Sequence, residues 1–161
     1  MTATPLLPIE DLASRLQPEA RLLGLDVGTK TIGLALSDVT HSIATPYETI
    51  RRTKFTADAK ALAEIVAKEG VGGLVIGLPI NLDGSEGPRA QSTRTFARNL
   101  AGHIPLPMAF WDERLSTAAV ERHLIEADAS RKRRAQVIDR MAAAYILQGA
   151  LDRLKTLAAG R

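Results

Sequence analysis

Two apolar runs separated by a three-residue turn most strongly constrain the fold of this chain. Residues 22–27 and 31–37 flank Gly28-Thr-Lys30, and this spacing is typical of a β-hairpin. A third run, 43–50, predicts another strand, and Pro46 makes it an edge or irregular strand because proline cannot donate to a ladder. The first three strands are therefore predicted to form an antiparallel meander.

The hydrophobic pattern changes period after this meander. Residues 73–77 and 107–111 are short apolar runs that predict two more strands, and between and after them apolar residues recur at helical spacing. The order β-β-β-α-β-α-β-α-α predicts an α/β fold: a five-stranded mixed sheet flanked by helices. The predicted helices cover about 57–69, 89–100, 116–127 and 135–158, with Ser116 as a cap and 131–134 as a connection.

The length of 161 residues fits one domain with a proper core. Residues 1–20 contain three prolines around a short amphipathic stretch, and we interpret them as an N-terminal extension that packs on the surface or frays. Residues 21–158 are predicted to form the single domain. No run approaches the roughly 20 apolar residues of a membrane span. The start, with Glu10 and Asp11, does not resemble a signal peptide, so we expect a cytoplasmic protein without membrane association.

Three acidic clusters lie far apart in the chain: Asp26, the pair Asp112 and Glu113, and Asp139. Each lies where an apolar run ends or a helix begins, and a carboxylate there is costly unless it is paired or metal-bound. A sheet that gathered them would need a cation among the charges. Their convergence predicts a metal-dependent phosphodiesterase. The structural alternatives are that Asp26 accepts bonds from the following turn and that Asp139 is a favourable charge in a first helical turn.

The residue types also predict which groups hold the metal. Neighbouring strand residues point to opposite faces, so at most one of Asp112 and Glu113 is expected to face the site, and the longer reach of Glu113 favours it. The small Ala142 and Ala143 would let the last helix bring Asp139 toward Asp26. The chain has no cysteine, and its three histidines lack zinc spacing, so oxygen ligands and thus Mg²⁺ or Mn²⁺ are favoured.

Basic residues are clustered although the formal net charge is only +3. Arg51-Arg52-Thr-Lys54 and Arg131-Lys-Arg-Arg134 are dense, and further arginines follow a glycine-rich loop at 78–88. Basic clusters beside an acidic site suit a polyanionic substrate. The residues predicted to contact nucleic acid are Lys30, Arg89, Arg114, Arg131, Lys132, Arg133 and Arg134.

One motif is ambiguous. Asp26-Val-Gly-Thr29 after a strand is also the way in which sugar kinases, actin and Hsp70-type ATPases begin. Those proteins bring two such domains around one nucleotide, and 161 residues cannot supply both. Length therefore favours the nuclease interpretation.

Four blocks of sequence, taken together, closely resemble the YqgF family, also called RuvX. They cover essentially everything from Arg21 to Asp152, in the family's order. The resemblance implies a ribonuclease H-like fold related to RuvC-type Holliday junction resolvases, and a nuclease that matures the 5′ end of pre-16S ribosomal RNA. It places the acidic positions at Asp26, Glu113 (with Asp112 beside it) and Asp139, as catalytic groups and metal ligands. The blocks are 23–38, 75–89, 111–117 and 139–148.

Two positions depart from the family pattern: Thr31 stands where arginine is common, and Ser116 where threonine is common. The first removes a positive charge near the expected phosphate path, so substrate preference is less defined than the chemistry. Three functions stay open at this point: an RNA nuclease acting as a monomer or weak homodimer, a resolvase of branched DNA, which needs a stable dimer, and a nucleic-acid-binding factor with little catalysis.

Overall fold

The predicted hairpin lies at the centre of a mixed β-sheet in the computed structural model, which describes residues 6–115 and 131–159 and the side chains of 7–115 and 140–159. The order across the sheet is β1-β6-β5-β2-β3-β4. Strands β2, β3 and β4 are antiparallel neighbours, whereas β1, β6, β5 and β2 are parallel. The strands are β1 (Leu6–Leu7), β2 (Arg21–Val27), β3 (Thr31–Ser37), β4 (Ala44–Arg51), β5 (Val71–Leu78) and β6 (Met108–Asp112).

Helices cover both faces of this sheet. Side chains of α2 and α3 form one core cluster with one face, and side chains of α1 and α4 form a second cluster with the other face. Of the described helices, none is long and apolar enough to cross a membrane. The helices are α1 (Ile9–Leu12), α2 (Phe55–Glu69), α3 (Pro88–Ala101) and α4 (Arg131–Ala159), with 3-10 turns at Ala13–Arg15 and Glu113–Leu115.

The five predicted strands and the antiparallel meander are confirmed. The N-terminal segment adds the two-residue strand β1, which pairs with the start of β6. Ile9 and Leu12 of α1 are buried beneath α4, so the described part of the extension packs against the sheet. Whether 21–158 folds independently of it stays a prediction.

The prediction for 131–134 was wrong, because these residues are helical in α4 instead of connecting two helices. Arginine and lysine are good helix formers, and a polar stretch can extend a helix although it shows no apolar period. The helix predicted over 116–127, together with its cap Ser116, lies outside the described residues. At the opposite edge, β4 shows the irregularity expected from Pro46: its register against β3 shifts between Gly33 and Ala35.

Successive side chains of β2 point to opposite faces of the sheet. Leu23, Leu25 and Val27 belong to the core under α2 and α3, whereas Leu22 belongs to the core under α4. Gly24 lies on the α4 face, where a Cβ atom would lie 2.7 Å from Leu147 Cβ and 3.1 Å from the Ala143 carbonyl oxygen. The missing side chain lets α4 pack directly on β2.

We expect Gly24→Ala to lower the free energy of unfolding by about 1–3 kcal/mol, the usual cost of overpacking a filled core. Urea denaturation would measure it. Gly102→Ala is the control, because Gly102 has a helical φ of −76° and its nearest neighbour would be 3.5 Å away. That variant should be near neutral. Equal effects of the two substitutions would contradict the close packing of α4 on β2.

Candidate active site

Asp26 is a buried carboxylate near the end of the central strand. It is 5% exposed, and it pairs with Gly33 of β3 in the antiparallel ladder. Because Asp26 follows Gly24 by two residues, it lies on the face that α4 covers. A charge held there among apolar neighbours requires compensation from a partner or a cation.

Glu113 lies close to Asp26 across one strand. In the parallel ladder Leu25 pairs with Ile76, so the next residue, Gly77, is the β5 neighbour of Asp26. A Cβ atom on Gly77 would contact Ile146 of α4 and would lie 3.4 Å from Glu113 Cγ. The Glu113 side chain therefore lies near Gly77 and Ile146, on the α4 face of the sheet. Two carboxylates that are 87 residues apart in sequence thus share one side of the sheet.

Asp112 has a different environment from its neighbour. Met108 and Phe110 of β6 belong to the core under α2 and α3, so alternation places Asp112 on that same face, away from Asp26. Its carboxylate accepts hydrogen bonds from Arg114: 2.9 Å from the backbone N–H, 3.1 Å from Nε and 2.7 Å from Nη2. The bonds from the guanidinium hold the pKa of Asp112 below its usual value.

Helix α4 runs from the end of β2 that carries Asp26 toward the start of that strand. Gln148 bonds the Ser42 carbonyl and the Ala44 N–H, beside the start of β4. Ala44 pairs with Ser37, whose hydroxyl accepts from the N–H of Leu22. Residues before Ala143 thus lie toward the Asp26 end.

Asp139 belongs to the backbone of α4, one helical turn before Ala143. Ala142 and Ala143 are both buried, so the close approach expected from their small side chains is present. The Asp139 side chain lies outside the described part of the chain. Within the side chains that are described, no group of three acids, histidines or cysteines is arranged to hold a metal.

The glycine-rich loop between β5 and α3 is closed by its own polar groups. The Asn81 N–H donates to the Ser85 carbonyl at 2.9 Å, and Asp83 accepts from the N–H and hydroxyl of Ser85. Gly84 takes a left-handed φ of 90°, and a Cβ atom there would lie 3.7 Å from Arg114 Nη1. Arg114 therefore lies between this loop and Asp112.

A second arginine ties the loop to the sheet. Both carboxylate oxygens of Glu86 accept from Arg94, at 2.6 and 2.7 Å, and the bonds lower the pKa of Glu86. The Arg94 guanidinium also lies 5.0 Å from the ring centroid of Phe110. The positive charges of Arg94 and Arg114 are thus offset within the protein.

The remaining residues predicted to bind nucleic acid divide into two groups. Lys30, in the turn after β2, and Arg89, in the first turn of α3, are exposed. The side chains of Arg131, Lys132, Arg133 and Arg134 lie outside the described residues, although their backbone belongs to α4.

The role of Gly77 was missed by sequence reasoning. A glycine at the end of a strand is a signal for close approach of another group. The sequence shows such a glycine in 73–77, but only the structure reveals that Ile146 and Glu113 approach it.

The sheet order, the antiparallel meander and the carboxylates on the α4 face define a ribonuclease H-like protein. The family model described as "RuvX: Holliday junction resolvase" matches residues 20–153, and the chain belongs to this family. The resemblance seen in the four sequence blocks is thereby confirmed.

Relatives of high identity carry one name. A protein of Paramagnetospirillum magneticum is 65% identical over 92% of this chain and 96% of its own length. A protein of Methylocella silvestris is 58% identical over 98% of both chains. Both are named "Putative pre-16S rRNA nuclease".

Two solved structures share the fold at 12% sequence identity. Thermus thermophilus RuvC in complex with a Holliday junction substrate matches 85% of this chain and 97% of its own, with a TM-score of 0.53. The yeast mitochondrial Holliday junction resolvase Ydc2 matches 94% of this chain and 86% of its own, with a TM-score of 0.50. These likenesses confirm the ribonuclease H-like fold.

Proposed function

We propose that this protein is a nuclease that hydrolyses phosphodiester bonds of pre-16S ribosomal RNA during 5′-end processing. One observation carries the proposal: the buried Asp26 and the side chain of Glu113 both lie on the face of the sheet that α4 covers. The name shared by the relatives supports this choice of substrate. Such an enzyme would act in the cytoplasm, as a monomer or weak homodimer.

The donor set fits a hard divalent cation. Asp26 and Glu113 offer only oxygen, and no cysteine exists in the chain to select a softer metal. Asp139, on the helix that packs on β2, would be the third ligand. Bound Mg²⁺ or Mn²⁺ would lower the pKa of a water molecule and offset charge on the phosphate. The burial of Asp26 favours such an ion because desolvation raises the cost of its negative charge.

The protein's own groups hold the reacting parts in place. Asp26 is fixed by the central strand, and Glu113 by the turn that ends β6. Lys30, Arg89 and the 131–134 segment would contact phosphates, which fixes the position of the strand without reading its sequence. Arg114 is a positioning residue, because it bonds Asp112 beside Glu113 and approaches the loop at Gly84.

We expect incubation with precursor ribosomal RNA and Mn²⁺ to produce defined new 5′ ends, and EDTA to prevent their formation. Primer extension or end sequencing would map the products. A matched incubation with mature 16S rRNA is the control for non-specific degradation. Binding without cleavage under Mg²⁺ or Mn²⁺, persisting in EDTA, would contradict the proposal and favour a binding factor.

Junction resolution is the second candidate, favoured by the description of the matching family and by the fold of RuvC. The same carboxylates would serve, but symmetric cutting of two strands needs a stable dimer. Cleavage of a synthetic four-way DNA junction, together with a dimer by light scattering, would support it. A monomer that cuts only RNA would exclude it.

A further inference from the structure

The turn after β2 and the end of β4 form one continuous surface. The backbone N–H of Arg52 donates to the Lys30 carbonyl at 2.8 Å, which joins the two segments next to the end of β2 that carries Asp26. The side chains of Lys30 and Arg51 are exposed here, and so is that of Lys54, which follows β4 and precedes the first residue of α2. Among the described residues, none forms an ion pair with these three cations.

Arg52, unlike its neighbours, is engaged in contacts within the protein. Its Nη1 donates to the Gly28 carbonyl at 2.6 Å, and its guanidinium lies 5.2 Å from the Phe96 ring centroid. Its Nε is 4.0 Å from Asp58, a carboxylate that is 3% exposed. Arg52 therefore holds the turn after β2 from the α2 and α3 side, where its charge is offset.

Arg51 lies on the opposite face, the one that carries the carboxylates. Thr31 pairs with Arg51 and Gly33 pairs with Thr49, while Gly33 also pairs with Asp26. Directly opposite residues of antiparallel strands share a face, so Arg51 and Asp26 do as well. Two strand spacings of about 4.8 Å and two residue rises of about 3.4 Å separate their Cα atoms by about 12 Å.

The residue opposite Arg51 in the ladder between β3 and β4 is Thr31. A cation introduced at position 31 would therefore lie on the same face of the sheet as Arg51.

We propose that Lys30, Arg51 and Lys54 form a cationic surface that holds the backbone of the RNA substrate on the β4 side of Asp26. This surface rests on the proposed function, and it adds the side of the active site from which the RNA strand enters. These cations are exposed and form no ion pair within the part of the chain that the structure describes, whereas Arg94 and Arg114 are offset by Glu86 and Asp112. A row of cations along an open surface suits a chain of phosphates more than a single small anion.

The test measures binding separately from cleavage. A fluorescent RNA oligonucleotide spanning the 5′ end of 16S rRNA is titrated in EDTA at several salt concentrations, with anisotropy as the readout. Each phosphate contact contributes about 0.7 to the slope of log affinity against log salt for a single strand. We therefore expect Arg51→Ala and Lys54→Ala each to lower the slope by about 0.7, with a several-fold loss of affinity.

Two controls match the change in charge. Lys60→Ala on α2 and Arg98→Ala on α3 each remove an exposed cation from the other face of the sheet, and their slopes should stay at the wild-type value. Thr31→Arg in the Arg51→Ala background should restore slope and affinity, since it places a cation on the same face of the ladder. Thermal melts confirm that the exposed substitutions leave the fold intact.

Each outcome has a defined meaning. Unchanged RNA binding by Arg51→Ala and Lys54→Ala would overturn the surface, even if the wild-type enzyme cleaves RNA. A loss confined to a four-way DNA junction would also overturn it. A reduced slope in a protein that never cleaves would support the surface and refute the nuclease, because the binding assay contains no divalent metal.

Discussion

Replacing Asp26 by asparagine should reduce metal-dependent cleavage by about 10³-fold or more. A carboxylate that holds a catalytic cation contributes several kcal/mol of transition-state stabilisation, and about 4 kcal/mol corresponds to 10³ in rate. Asparagine has nearly the same shape, so the packing of Asp26 between β3 and α4 should survive. Single-turnover cleavage of the precursor RNA, with Mn²⁺ present, measures the loss.

The melting temperature gives a second measurement of metal binding, which does not depend on activity. A cation that binds only the folded protein raises its melting temperature, so Mn²⁺ should stabilise the wild type and have little effect on Asp26→Asn. In EDTA a thermal melt of each protein checks that the variant is folded. Undiminished cleavage by Asp26→Asn would contradict the proposed site.

Asp58 provides the matched control, as the other buried aspartate among the described residues. It lies in the first turn of α2, and its Oδ1 accepts from the N–H of Thr53 at 3.1 Å. Asp58→Asn should therefore lower the melting temperature while cleavage per folded molecule stays close to wild type. Loss of cleavage in both variants would indicate that general destabilisation, not loss of a ligand, explains Asp26→Asn.

The central part of the fold could be predicted because its signals are local. The turn at 28–30 and the flanking apolar runs define the hairpin, and alternation along β2 then fixes which residues face α4. The opposite faces of Asp112 and Glu113 follow from the same rule. The sheet order depends on long-range pairing, so the family resemblance was needed to anticipate it.

Features that depend on register could not be predicted. Arg51 and Arg52 are adjacent in a basic cluster, yet Arg51 is exposed on the face that carries Asp26 and Arg52 lies against Phe96. The two residues are the same in type and adjacent in sequence. Only the pairing of β4 with β3 shows that they face opposite sides of the sheet. The approach of Ile146 and Glu113 to Gly77 is of the same kind, because it depends on how α4 and the end of β6 pack against β5.

The second large effect is expected at Glu113, and it distinguishes this residue from Asp112 as the acid that belongs to the active site. Both are acidic and adjacent, but Glu113 lies over Gly77 on the Asp26 side, whereas Asp112 is engaged by Arg114 on the other face. We expect Glu113→Gln to reduce cleavage by about 10²–10³-fold, consistent with loss of several kcal/mol of charge stabilisation.

Asp112→Asn should cost about 10-fold or less, because its effect on the site is indirect. It weakens the bonds that hold Arg114 near Gly84, so the change should appear mainly in KM for RNA, whereas Glu113→Gln should lower kcat. Stabilisation by Mn²⁺ should be retained in Asp112→Asn and reduced in Glu113→Gln. The reverse pattern, with Asp112→Asn losing both kcat and the response to Mn²⁺, would mean that β6 turns before its last residue and presents Asp112 to the metal instead.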